Sequence, residues 1–115
     1  MRDYKLYIDD ILQAIKSIES YTKGFNFGKL KQNKLVVDAV TRNLEIIGEA
    51  VKNIPADLKR RHPEVEWKKI SGLRDILAHE YFAVDLKVLW DIVDNKLPGF
   101  KKEISGLLKK KQTRL

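Results

Sequence analysis

This sequence predicts an all-α fold, and three observations carry that prediction. Apolar residues recur at alternating steps of three and four along most of the chain, the spacing that gathers them on one helix face. Residues that start and stop helices stand where these runs begin and end. No segment reads convincingly as a strand, and there is no internal repeat. Helices of this length joined by short connections pack antiparallel. The expected architecture is an up-and-down bundle of four main helices plus a short connecting helix.

The first helix is expected from about Tyr4 to Tyr21, with Ile8, Ile11, Ile15 and Ile18 on one face, Asp3 as N-cap and Gly24 as stop. After the loop KGFNFG, a second helix is expected from about Leu30 to Ile54. Val37, Val40, Leu44, Ile47, Val51 and Ile54 form its apolar line, and Arg42, Glu45 and Glu49 a separate polar stripe. Pro55 interrupts the pattern, and a short helical turn near Ala56–Arg61 ends at His62-Pro63. His62, in a charged loop before a proline, reads as exposed and idle. A third helix should begin near Glu66-Trp67 and close near His79–Tyr81. Asp85 can cap a fourth, whose apolar line is Leu86, Leu89, Val93, Leu97, Phe100, Ile104 and Leu107. Pro98-Gly99 should kink or break it.

The 115 residues suit one domain with one core. There is no cysteine, so disulfides and thiolate metal sites are excluded. No apolar run approaches the ~20 residues of a membrane span, and MRDYKLYIDD is too polar for a signal peptide. A cytoplasmic protein away from the membrane is the expectation. The net charge is +7, but residues 101–115 carry six basic side chains against the single Glu103. The rest is therefore nearly balanced, and the domain reads as residues 1–108, with 109–115 a basic, solvated or frayed tail. Basicity permits RNA binding without establishing it.

The third helix holds the chemistry. Its stretch GLRDILAHEY threads Arg74, Asp75, His79 and Tyr81 between apolar residues. Placed at about 100° per residue from Trp67, Ile70, Leu73 and Leu77 mark the core side, and Asp75 and His79 fall almost opposite. One helical turn separates Asp75 from His79, so the carboxylate can orient the imidazole and favour its charged form. Ser71, Gly72 and Ala78 on that side are small and permit close approach. Arg74 and His79 lie about 140° apart, and a two-fold dimer sets both against one cleft most simply. Taken singly, these residues also have plainer readings. Arg74 serves as a surface ion-pair partner, His79 as a helix C-cap and Tyr81 as a packed ring.

Together they form R-x4-H-x-Y, and this segment resembles the signature of the HEPN superfamily, specifically its HepT-like toxins. AVTRNLEIIGEAVKNIP upstream, the run HPEVEWKKISGLRDILAHEYFAVD and the later Trp90 agree with it. The resemblance covers nearly all of residues 1–108. It implies a homodimeric helical bundle with the motif in an interface cleft. It also implies a toxin of a two-gene module, a metal-independent endoribonuclease restrained by a small MNT-type nucleotidyltransferase antitoxin. In that family the antitoxin can transfer AMP to the motif tyrosine, here Tyr81. The residue after the arginine is often asparagine in the family and is Asp75 here, which adds negative charge near a phosphate site.

Those residue types suit RNA cleavage with no cofactor or metal ion. A histidine near its ordinary pKa of about 6.5 moves a proton at neutral pH. An arginine holds non-bridging phosphate oxygens as charge builds. The roles expected are His79 as general base or acid, Arg74 as phosphate holder and Asp75 as orienter, with Tyr81 a modification site. A non-catalytic module that binds a nucleotide or protein through the same face is the alternative. A helical DNA-binding regulator fits less well, because no basic recognition helix is present.

Overall fold

The computed structural model describes residues 3–73 and 85–112, with side chains as far as Leu108. All elements among the described residues are helical. The first helix, α1 (Tyr4–Thr22), is capped by Asp3, whose carboxylate accepts from the Lys5 N–H at 3.0 Å. Its four isoleucines are fully buried. Just past its end Gly24 takes φ +76°, the left-handed conformation that glycine adopts without a Cβ clash.

The expected second helix is two helices. A short α2 (Phe27–Lys31) begins at Asn26, whose side chain accepts from Lys29 N–H at 2.8 Å. Asn33 then caps α3 (Lys34–Lys52), accepting from Val36 N–H at 3.1 Å. Asparagine ranks among the strongest N-caps, and two of them seven residues apart start two helices; the apolar line from Val37 to Val51 lies wholly in the second. Along α3, Val40, Leu44, Ile47 and Val51 are fully buried, as the periodicity predicts. Tyr7 and Asp10, early in α1, line one groove with Ala50 and Asn53 late in α3. The two long helices therefore run antiparallel.

The turn after Pro55 is helical as expected, α4 (Ala56–Arg61). Next comes α5 (Trp67–Ser71), and here the expectation of one continuous third helix needs correction: the helix is interrupted at Gly72. Gly72 N–H still donates to the Lys68 carbonyl at 3.0 Å, and Leu73, the last residue described before the gap, is helical again. The interruption leaves Leu73 on the core side that a helical wheel started at Trp67 predicts.

Asp85 caps the next helix, α6 (Leu86–Asp91), accepting from Lys87 and Val88 N–H groups at 3.0 and 3.3 Å. A π turn, Ile92–Lys96, joins it to α7 (Leu97–Gln112). The backbone thus stays helical through Pro98, so of the expected kink or break no break occurs. Proline has no N–H to give to the carbonyl four residues back. In the π turn, the Leu97 N–H reaches Ile92, five residues back, and the proline falls in the first turn of the segment that follows. Leu89, Leu97, Phe100, Ile104 and Leu107 of the predicted apolar line are all buried. Lys101 of α7 holds Glu19 of α1 at 2.9 Å. The backbone stays helical to Gln112, so Lys109–Lys111 extend α7 instead of fraying at 109.

Candidate functional site

Arg74, Asp75, His79 and Tyr81 lie outside the described residues. What the structure shows is how the chain enters and leaves their segment. On the entry side, Trp67 is 8% exposed and its indole Nε1–H donates to the His62 carbonyl at 3.0 Å. That bond ties α5 to the loop before it. His62 is accordingly not idle. Its side chain is only 15% exposed, and its Nδ1 stands 3.4 Å from Glu64 Oε2. Trp67 fastens α5 to the core, and Ile70 and Leu73 pack against it on the side the sequence predicts. On the exit side Asp85 starts α6. In the chain, the motif segment follows a packed leucine and precedes a capped helix start.

Next to that entry a groove of about 860 Å³ opens between α5, the π turn and α7. Gly72 and Leu73, which directly precede Arg74 in the chain, form part of its wall. Ile70, Ile92, Leu97 and Phe100 give it an apolar floor. Lys68, Lys69, Lys96 and Lys102 stand around it with Glu66 and Glu103. Glu66 and Lys69 are locked together at 2.7 Å. The Lys69 hydrogen bond holds the Glu66 carboxyl below its ordinary range, and Glu66 raises Lys69 in return. Glu103 goes the other way: burial, then repulsion from Glu64 and Glu66, pushes its pKa up. The excess charge at the rim is positive.

A second, smaller groove of about 440 Å³ lies between α1 and α3. The predicted polar stripe of Arg42, Glu45 and Glu49 forms one wall and Tyr7 and Asp10 the other. Arg42 and Glu45 approach at 3.8 Å.

The stripe was legible as helical spacing. The lysine rim was not, because Lys68 and Lys102 sit on different helices and Lys96 in a π turn. Each reads in isolation as an ordinary solvated side chain. Among the described residues no three His, Asp or Glu side chains gather as metal ligands do, and no helix is long and apolar enough to cross a membrane.

Comparison with known proteins settles the family. A model described as "Ribonuclease HepT-like" matches residues 11–107. A "Probable ribonuclease HepT" of Thermococcus cleftensis is 45% identical over 108 residues, covering 94% of this chain and 98% of that protein. A "Putative RNase" of Methanocaldococcus jannaschii is 42% identical over 108 residues, 94% of this chain and 89% of its own length. Another protein with that description, from Caldanaerobacter subterraneus subsp. tengcongensis, is 36% identical over 112 residues and is covered from end to end. The chain belongs to the HepT-like family of the HEPN superfamily. No solved structure matches it significantly.

Proposed function

We propose that this protein is an endoribonuclease that cuts RNA through Arg74 and His79 without a metal ion. The observation that carries the reading is an intact R-x4-H-x-Y segment inside a chain that matches the ribonuclease HepT-like model from residue 11 to 107. RNA brings its own nucleophile. His79 takes the proton of a ribose 2′-hydroxyl, the 2′-oxygen bonds to the adjacent phosphorus, and the bond from phosphorus to the 5′-oxygen breaks. The leaving oxygen takes a proton from the imidazolium, so one fragment ends in a 2′,3′-cyclic phosphate and the other begins with a 5′-hydroxyl. Arg74 holds the non-bridging oxygens while negative charge builds there. Asp75 orients the imidazole, and its charge favours the protonated ring.

In this reading the protein is a homodimer in the cytoplasm, each copy setting one motif against a shared cleft. It is the toxin of a two-gene module, held inactive by an MNT-type nucleotidyltransferase. AMP placed on the Tyr81 phenol would bring bulk and negative charge to the position of an RNA phosphate and so block it.

The deciding comparison is wild type against His79→Ala and Arg74→Ala. Both variants should lose RNA cleavage by a factor of at least ~100, the scale of a missing general acid–base or oxyanion group, and both should relieve growth arrest. Cleavage by the wild type should survive excess EDTA and leave a cyclic phosphate detectable by mass spectrometry. Full cleavage by both variants would defeat the assignment and leave a non-catalytic binding module. Co-expression with the neighbouring nucleotidyltransferase should add the mass of one AMP, and Tyr81→Phe should abolish that addition. A monomer in sedimentation at micromolar concentration would remove the shared cleft.

A further inference from the structure

We infer that the groove between α5 and α7 is a track for single-stranded RNA leading to the cutting motif. This rests on the ribonuclease reading above and adds where the substrate lies. Charge is the first support. Residues 1–100 are nearly balanced, yet three lysines of that part, Lys68, Lys69 and Lys96, border this one recess together with Lys102. Lys69 is engaged by Glu66 at 2.7 Å. Lys68, Lys96 and Lys102 are exposed and make no salt bridge among the described residues. Glu66 feels Lys96 weakly beside its main partner, Lys69. Glu103 is the remaining anion, and its surroundings disfavour its charge.

Shape and position are the second support. Ile70, Leu73, Ile92, Leu97 and Phe100 provide an apolar surface below the cationic rim. A single strand offers both things that surface takes, base faces for the floor and phosphates for the lysines. A duplex keeps its base faces stacked inside and has none to offer the apolar floor. Gly72 and Leu73 form part of the wall, and Arg74 is the next residue in the chain. A strand lying against them is therefore one residue along the chain from the side chain assigned to hold the scissile phosphate.

The test uses the full chain carrying His79→Ala, so that RNA is bound and not cut. Its affinity for a labelled single-stranded oligoribonucleotide is measured by fluorescence anisotropy across a salt series. The same chain with Lys68→Gln, Lys96→Gln and Lys102→Gln should bind roughly 10- to 100-fold more weakly at 0.1 M salt. The slope of log affinity against log salt should flatten by about 2, the share of three phosphate contacts on a single strand. Lys16→Gln, Lys29→Gln and Lys52→Gln, made together elsewhere on the surface, should leave both quantities nearly unchanged. In the active chain the groove changes should raise KM by a similar factor. Circular dichroism melts confirm that both triple variants fold.

Unchanged affinity and slope in the groove variant, with the wild type still cutting RNA, overturn the track and spare the ribonuclease. An equal loss in the control variant overturns it as well, since net charge alone then accounts for binding. If the groove variant changes sedimentation but not RNA binding, the recess is a protein interface and the inference fails. If the parent neither binds nor the wild type cuts any RNA, both readings fall together.

Discussion

The α1–α3 pair and the wall running from α5 to α7 are built in opposite ways. The pair consists of two 19-residue helices, each started by a side-chain cap and each carrying an unbroken buried line. The wall joins the five-residue α5, interrupted at Gly72, and a π turn to the start of the 16-residue α7, with a proline in its first turn. In α1 and α3, regular burial along the length holds the helix. In α5 no side chain caps the start, so a single indole and its hydrogen bond take that role. Short, irregular pieces place more chain ends and more charged side chains around one recess than a straight helix would. This is the common division between a scaffold and the segments that carry function.

The sharpest way to break this contrast is to remove the anchor. Trp67→Ala should cost about 3–5 kcal/mol, the range for deleting a buried large aromatic; a loss below ~1 kcal/mol in urea unfolding would mean that α5 does not hang on that side chain. Ile15→Ala in α1 should cost about 2–5 kcal/mol by creating a cavity in the regular core. Because Ile15 itself does not line the α5–α7 groove, RNA affinity measured where the variant is still folded should stay close to wild type.

Pro98→Ala tests the irregular wall from the other side. Restoring an N–H lets the π turn relax, while the loss of proline frees the unfolded chain, so the net change should be under ~1 kcal/mol. Amide exchange at residues 96–98 is the sensitive readout, and a π turn retained unaltered would show that Pro98 is not its cause. Smaller still is Glu103→Gln. A carboxyl whose pKa is raised by folding binds protons more readily in the folded state, so its charge costs stability as pH rises through that raised value. The variant should therefore melt slightly higher than wild type at pH 7, and the gain should vanish below the pKa of an unperturbed glutamate, about 4.3. Last, a double-mutant cycle on Lys101 and Glu19, each nearly half exposed, should return a coupling of about 0–1 kcal/mol.

Much of the fold was legible because burial leaves a periodic trace. Ile8, Ile11, Ile15 and Ile18, and Val40, Leu44, Ile47 and Val51, are all buried where their spacing places them. The departures came from local polar chemistry. Two asparagine caps start a short helix and then a long one where a single helix was expected. A π turn accommodated a proline expected to kink or break the fourth. His62 is mostly covered, and its carbonyl accepts from Trp67. Of the candidate site, the motif was legible as residue types in order, while the groove beside it was not. A run of letters displays the spacing along one helix and nothing of which helices meet.

What the linear chain determined alone is therefore the helical class, the apolar faces and the order of the candidate residues Arg74, Asp75, His79 and Tyr81. Each depends on neighbours within a few turns, where helix geometry fixes who stands beside whom. Only tertiary packing decided that Lys68, Lys96 and Lys102 share one recess with an apolar floor. Those residues are brought together by the burial of other side chains, Trp67, Leu97 and Phe100 among them. The hydrophobic effect that buries them is blind to what it leaves on the surface.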